Sequence, residues 1–483
     1  MNIIFKSKFI KALQTFSEDE LKSFDAWLRS PWCNTNKNLV RLLGKVRKYY
    51  PTFDDRKLTK EKLFKQILPS GKFSDRRMNN LLSEAYLAAE RFLIHQNLSQ
   101  DTRLQKDLLA QEWQNRDSEE RFLKESQKVI DLMDDISIKE WEDHLDLYRH
   151  HRRLYHHPNQ SRRIQYGSAI ISRMGEELDL LYLLEKATIL NEKKFRNRIL
   201  QNEQHETEHD LQLWLQATKH LQHPAIEFYR MRFAYTEENR LAHYRKLRAA
   251  FMEGYEELGE LQQKIHLTSL LNDTTILIKE KSISTIELLP LYKLGLKANL
   301  IFHREKLSYH TYSTVVGASN LKGDYDYTYY FIENFTDRLN EKNQLDAINW
   351  AKAHTMYYEK KLSKSLDILL IYQFKTPYFL MIGRVLTLQV YFDLYLQDNN
   401  YQSYLFSYLD TFEKWLQREK MWSKANKVSF LRFVQKCRAL AKHYADVNFQ
   451  RVKLEQLLDG TEAIQALSWL KMKQEEIIRL KTK

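Results

Sequence analysis

Apolar side chains recur along nearly the whole chain at the three- and four-residue spacing of an amphipathic helix. The clearest early example begins with Ser17 and Glu20, which form a capping box, a frequent start of a helix. The apolar positions that follow lie on one helical face: Leu21, Phe24, Trp27 and Leu28. About four such short helices are predicted over residues 1–100, and the same period continues over residues 101–150 with acidic polar faces.

The scarcity of glycine and proline supports helices joined by compact turns. Only 11 glycines and 7 prolines occur in 483 residues, whereas average usage is about 7% and 5%. A protein built on β-sheets needs many turn residues of these two types. Hydrophobic residues make up 43% of the chain, which is enough for a substantial core. We therefore predict an all-α fold.

Charge is distributed unevenly along the chain, whose net charge is +13. Residues 1–100 contain 19 Lys/Arg and 10 Asp/Glu, a net +9, whereas residues 101–146 contain 7 and 14, a net −7. The contrast predicts a basic helical head at 1–100, a helical middle region at 101–280 and a third region at 281–483. The head either meets an anionic partner or docks on the acidic segment 101–146, and the sequence leaves both alternatives open.

The third region contains an internal repeat of a helix, a short polar turn and a second helix. The repeat is visible in three stretches: residues 310–335, 348–374 and 383–412. If Tyr325, Leu362 and Tyr401 are equivalent positions, the spacing is 37 and then 39 residues. This spacing lies within the range of stacked helix pairs, each of which buries its apolar face only against its neighbours.

These stretches resemble tetratricopeptide and pentatricopeptide repeats. Trp350 and Tyr357 are seven residues apart, as the aromatic pair of the first tetratricopeptide helix is, and Pro377 lies near the position of the closing proline. The first helix and turn of a pentatricopeptide unit resemble the stretch TYSTVVGASNLKGDY. His354 and Leu366 replace the small residues expected where helices cross. Taken whole, the chain also resembles a group of large all-helical bacterial proteins with no assigned role.

The resemblance implies an α-solenoid of tetratricopeptide-like helix pairs after the helical head. It implies a non-enzymatic scaffold or adaptor that holds a protein or peptide partner and uses no cofactor. Aromatic side chains contribute strongly to such interfaces. The candidate partner-binding residues are Tyr325, Tyr327, Trp350, Tyr357 and Tyr401.

A second possible function is nucleic-acid binding by the basic head. The segment LTKEKLFKQILPSG followed by FSDRRMNNLLSEAYL has the outline of a helix-turn-helix. Arg76, Arg77, Asn79 and Asn80 would project from the start of the second helix, and these residue types read guanine and adenine edges. Helix pairs with surface arginines are also common in α-helical domains without this function.

Arginine and histidine are concentrated in the segment RHHRRLYHHPNQSRR, residues 149–163. Arg152, Arg153, Arg162 and Arg163 are candidate contacts for phosphate or another anion, because guanidinium groups bind oxyanions well. The alternative is that this cluster neutralises the acidic segment directly before it. The sequence favours this structural interpretation.

One segment matches the H-E-x-x-H signature of zinc proteases: His205, Glu206 and His209. A zinc helix lies buried beside the catalytic cleft, so apolar residues normally flank the motif. Here the flanking residues are polar, which indicates a segment exposed to solvent. We interpret the match as a decoy, which makes a zinc hydrolase the third and least favoured function.

The remaining features predict a cytoplasmic protein that does not enter a membrane. Cys33 and Cys437 are too far apart in the sequence for a disulfide scaffold, which fits a reducing compartment. No stretch of 18 uncharged apolar residues occurs, and the N-terminal segment carries three lysines within its apolar run. Glycine-rich phosphate loops and nucleophile elbows are also absent from the sequence.

Overall fold

The computed structural model describes residues 6–53, 59–156, 160–200, 205–234, 239–459 and 463–482. Side chains are described for these residues except 160–166 and 199. The described residues contain 23 α-helices and no β-strand, so the predicted all-α fold is confirmed. The chain forms two compact units, Met1–Glu185 and Lys186–Lys483. Each unit is considered separately below.

The first part of Met1–Glu185 has its own apolar core. Five helices build it: α1 (Lys8–Leu13), α2 (Glu18–Arg29), α3 (Lys37–Val46), α4 (Lys60–Ile67) and α5 (Asp75–Gln100). Helix α5 packs against each of the other four. The predicted capping box is confirmed, because Ser17 Oγ accepts the backbone N–H of Glu20 and the Glu20 carboxylate accepts that of Ser17.

The rest of this unit is a series of longer helices. They are α6 (Thr102–Asn115), α7 (Glu119–Asp134), α8 (Trp141–Tyr155) and the first part of α9 (Gln160–Ile199). Helix α6 packs along α7, and α7 packs on α8. Several buried residues of α7 and α8 are polar, among them Ser126, His150 and His151. Of these, His150 belongs to the ion-pair network described below, whereas the His151 ring bonds to the Leu147 carbonyl.

The second unit begins in the same α9 and continues through helices that pack in chain order. They are α10 (Glu208–Thr218), α11 (Pro224–Phe233), α12 (Arg240–Gly254), α13 (Glu260–Lys279) and α14 (Leu288–Lys297). Aromatic residues fill the space between α10, α11 and α13. Trp214 packs edge-on against Tyr229 and Phe233, and Tyr229 packs against the ring of His266.

The largest apolar core among the described residues lies mainly in the last nine helices, with Leu289 and Leu296 of α14 at its edge. These nine helices are α15 (Tyr309–Lys322), α16 (Tyr325–Phe335), α17 (Glu341–Tyr358), α18 (Leu362–Ile371), α19 (Pro377–Gln397), α20 (Gln402–Arg418), α21 (Lys424–Ala445), α22 (Arg451–Gln456) and α23 (Leu467–Lys481). The three predicted helix–turn–helix stretches fall on α15–α16, α17–α18 and α19–α20. Gly323 ends α15 with φ +80°, a left-handed conformation that glycine adopts without strain.

Neighbouring pairs pack against one another. Helix α15 packs on α17, and α17 packs on α19, which forms a row of first helices. The second helices lie alongside, since α16 contacts α15 and α17, and α18 contacts α17 and α19. Helix α19 is at the centre of the core. It is the one helix, among the described residues, long and apolar enough to cross a membrane, and 78% of its most apolar window is buried inside the protein.

Candidate functional site

The start of helix α5 presents the predicted arginines to solvent. Arg76, Arg77 and Asn80 are exposed, and neither arginine lies within 4.0 Å of a described carboxylate. Asn79 is also exposed, but its amide donates to Asp75 at 2.9 Å and accepts from Lys60 Nζ at 2.7 Å. Three of the four predicted side chains are therefore free of described polar partners, and Asn79 is held within the head.

A groove of about 570 Å³ runs beside this face, between α1 and α5. Three lysines line it: Lys6, Lys8 and Lys60. Its other polar lining residues are Ser7, Asn79, Ser83 and Tyr86, and none of its described lining residues is acidic. Lys60 is paired with Asp75 at 3.0 Å, so the positive charge of this lining comes from Lys6 and Lys8.

The described ion pairs of the acidic segment 101–146 are all made outside the head. Arg103 binds Asp143 at 2.5 Å and reaches Asp146, while Lys106 lies 3.3 Å from Glu125. Among the described residues, no ion pair joins 6–100 to 101–146. Of the two alternatives for the basic head, docking on the acidic segment has no support among the described ion pairs.

The arginine–histidine cluster on α8 does pair with the acidic segment. Arg153 Nη2 lies 2.7 Å from the Asp107 carboxylate, and the buried His150 ring reaches Asp107 and the Ser126 carbonyl. Burial by itself raises the pKa of Asp107, but the hydrogen bonds from His150 and Arg153 outweigh this effect and hold it at about 2. The structural interpretation of this cluster therefore holds for Arg153.

Arg152 differs from Arg153 because it is exposed and pairs with no described carboxylate. It lines an open groove of about 450 Å³ together with Tyr148, Arg149 and His156. The side chains of Arg162 and Arg163 lie outside the described residues. Anion binding at this groove thus stays a prediction that involves Arg152.

The H-E-x-x-H segment does not lie on one helix. Helix α10 begins at Glu208, whereas His205 and Glu206 precede it outside any helix, where the backbone of His205 bonds to the Asn197 amide. His205 and His209 therefore do not face one metal from successive turns, as zinc ligands on a helix do. Within the described ranges, no group of three or more His, Cys, Asp or Glu is placed to hold a metal ion.

The aromatic residues predicted to bind a partner divide into buried and accessible ones. Trp350 and Tyr357 are buried in the core, so their side chains stabilise the packing of α17. Tyr325, Tyr327 and Tyr401 are partly exposed, although the Tyr325 hydroxyl donates to the Tyr358 carbonyl at 2.9 Å.

A buried polar network explains the position of Tyr357. Its hydroxyl donates to Asp393 Oδ2 at 3.0 Å and accepts from Trp469 Nε1 at 2.7 Å. Lys473 Nζ lies 2.7 Å from Asp393 Oδ1. Trp469 and Lys473 belong to α23, so this network ties the last helix to α17 and α19. These partners were not predicted from the sequence, because the sequence of α23 shows a helical period but not which helices it contacts.

A second buried carboxylate, Asp346, was also missed. It accepts backbone N–H groups of Lys375 and Thr376 and the Tyr372 hydroxyl, at 2.6 to 3.2 Å. These contacts fix the loop between α18 and α19, which ends at Pro377. An aspartate on a helix 30 residues before the loop gives no local signal of this role.

Comparison with known proteins gives no further guide to these sites. No protein-family model, no curated protein and no solved structure matches this chain.

Proposed function

We propose that this chain is a non-enzymatic scaffold whose helix pairs form a tetratricopeptide-like solenoid that holds a protein or peptide partner. The observation that carries the proposal is the packing order of the first helices, α15 on α17 and α17 on α19, with a second helix beside each. Stacked pairs of this kind build extended surfaces on which partners bind.

The second helices supply accessible side chains of the type found at protein interfaces. Tyr330 on α16 is 53% exposed, Ile371 at the end of α18 is 82% exposed, and Tyr404 on α20 is 61% exposed. Each second helix thus presents a large apolar group to solvent. Tyrosine is enriched at interface centres, because it adds contact area at a low cost in conformational entropy.

The test is a triple substitution, Tyr330→Ala, Ile371→Ala and Tyr404→Ala, in the full chain. Partners are captured by cross-linking in cells that express the chain and identified by mass spectrometry. We expect the variant to lose a specific cross-linked partner while its melting temperature is unchanged. The matched control replaces Met421 and Val447 with alanine, which are also exposed apolar residues of this unit. Equal capture by the variant and the control would contradict the proposal.

A second candidate function, nucleic-acid binding by the head, is favoured by one specific observation. The exposed Arg76 and Arg77 have no described carboxylate partner, and they lie on the same helix that lines the lysine groove. Basic groups that are not neutralised by the protein can replace the counterions of a phosphate backbone.

This candidate is tested by a salt titration of binding to labelled duplex DNA and single-stranded RNA, measured by fluorescence anisotropy. We expect affinity to fall by about 10³ or more between 50 and 200 mM salt, as six or more phosphate contacts require. Arg76→Ala/Arg77→Ala should weaken binding. Arg29→Ala/Lys65→Ala is the control, because each of these residues is paired with an acid on its own helix. Failure to bind either ligand at low salt excludes this function.

A further inference from the structure

A groove of about 480 Å³ lies where α20 ends and α21 begins. Its floor is apolar and consists of Trp422, Val428 and Leu431, all of which are half-buried. The Trp422 ring packs edge-on against the buried Phe430 ring, with 6.0 Å between the ring centroids. A volume of this size lies in the range of ligand-binding clefts, and it is enough for more than one side chain of a bound peptide.

The turn that forms one wall of the groove is held by its own hydrogen bonds. The Glu419 carboxylate accepts the backbone N–H groups of Lys420 and Met421, at 2.8 and 2.9 Å. Lys427 Nζ donates to the Glu419 carbonyl at 2.6 Å, which ties the first turn of α21 to the end of α20. The groove is therefore formed before a partner arrives, and binding requires little ordering of the chain.

Positive charge predominates around the groove. Residues 414–427 contain five Lys/Arg and one Asp/Glu, a net +4. The single acid is Glu419, whose carboxylate is engaged by the turn. Lys420 and Lys424 line the groove and are exposed, and neither forms an ion pair with any described residue. The rim of the groove thus carries two cations that the described part of the chain does not neutralise.

We propose that this groove binds an acidic peptide segment of a partner protein. A large apolar side chain of the segment packs on Trp422, and its carboxylates lie beside Lys420 and Lys424. Charge complementarity selects the partner, because exposed ammonium groups without a counter-ion attract carboxylates and repel basic segments. A nucleic acid fits this floor less well, since base stacking uses an open aromatic face and Trp422 is half-buried against Phe430.

This groove is separate from the proposed partner surface on the second helices. Tyr404 of that surface lies near the start of α20, whereas Gln417 lines the groove at the end of the same helix. The two residues are about 20 Å apart along the helix, at 1.5 Å per residue. The groove therefore adds a charged contact beyond that surface, and each of the two can be tested without the other.

The test is selection of a phage library of random peptides on the immobilised full chain. The library is first passed over Lys420→Glu/Lys424→Glu, which removes peptides that bind elsewhere. We expect the remaining binders to be rich in Asp and Glu and to carry a Phe, Trp or Leu. Binders that are neutral or basic, or no binders after this step, would overturn the proposal.

The affinity of labelled copies of the selected peptides is then measured by fluorescence anisotropy. It should fall as salt rises, because exposed charges are screened over about 10 Å at 0.1 M. The triple variant of the second-helix surface should bind these peptides as the wild type does, so failure of this inference is distinguishable from failure of the scaffold proposal. Single-stranded RNA that displaces the peptides with higher affinity would assign the groove to nucleic acid instead.

Two variants locate the binding. Lys420→Glu/Lys424→Glu reverses the charge of the rim at exposed positions, and we expect it to weaken binding about tenfold or more. Trp422→Ala removes the apolar floor and should also weaken binding. Lys352→Glu/Lys364→Glu is the matched control, because these lysines of α17 and α18 are exposed and have no described acid partner. Equal weakening by this control would refute the site, and full binding by Trp422→Ala would refute its apolar anchor.

Discussion

The buried contact between α23 and α19 should respond strongly to loss of its cation. Lys473 and Asp393 have side chains that are only 3% and 6% exposed, and their charged atoms are 2.7 Å apart. Replacing Lys473 with methionine keeps most of the length of the side chain and leaves the carboxylate without its counter-ion. Breaking one partner of a buried ion pair costs about 3–5 kcal/mol. We expect Lys473→Met to lower the stability of the α23 contact by this amount.

The appropriate measurement is native-state hydrogen exchange of peptides from α23, since local opening of one helix need not follow the unfolding of the whole chain. A loss of about 3–5 kcal/mol corresponds to a decrease in protection of about 10²–10³-fold or more. The wild-type helix also buries Trp469, Leu470 and Ile477, which should keep it docked and well protected.

The pH dependence of this stability loss tests whether the missing Lys473 charge causes it. Burial raises the pKa of Asp393 above its ordinary value, and the Lys473 ammonium opposes this shift. Without Lys473 the folded-state pKa rises further, so the folded state binds a proton more readily than the unfolded state. The deficit of Lys473→Met should therefore shrink as pH falls and grow as pH rises.

The double variant Lys473→Met/Asp393→Leu is the control, because replacing both members of a buried pair by apolar groups is often neutral. We expect it to recover most of the protection. A deficit below about 1 kcal/mol in the single variant, or no recovery in the double variant, would refute the assignment of Lys473 and Asp393 as a coupled buried pair.

Three further predictions follow from buried or constrained residues of the second unit. Asp346→Ala should lower the unfolding free energy, measured by urea titration, by about 1–3 kcal/mol, because it removes the acceptor of the part-buried N–H groups of Lys375 and Thr376 in the α18–α19 loop. Asp346→Asn, which keeps an acceptor, should cost less in the same titration. Gly323→Ala should cost about 1 kcal/mol, since alanine is strained at φ +80°, and an equal melting temperature would contradict this. Burial lowers the pKa of His266 well below its usual value, so the folded state loses stability as pH falls below about 6.5. His266→Phe should flatten this acid limb in melting curves, and an unchanged slope would exclude His266 as its source.

The sequence by itself determined the helices of this protein and many of their ends. The three- and four-residue period, the Ser17–Glu20 capping box and the turn at Gly323 are local properties, and the structure contains all of them. The sequence also indicated that the H-E-x-x-H match was a decoy, because its flanking residues were polar. Helix α10 begins within that segment, at Glu208.

Tertiary structure decided which of these side chains are available to solvent or to one another. A helical period does not specify how many layers cover a helix, so Trp350 and Tyr357 could not be distinguished from the exposed Tyr330 by their spacing. The sequence also gave no sign that Tyr357 meets Trp469, which lies 112 positions later.

The pairing of charged side chains was also decided by the tertiary structure. From the sequence, the acidic segment 101–146 could have been neutralised by the head or by the arginine–histidine cluster on α8. In the folded chain, Asp107 of this segment pairs with Arg153 of that cluster. In the second unit, Arg232 meets Asp273 from another helix and is left with one unpaired donor. Helix formation depends on neighbours within a few residues. Burial and ion pairing depend on which helices the folded chain brings together.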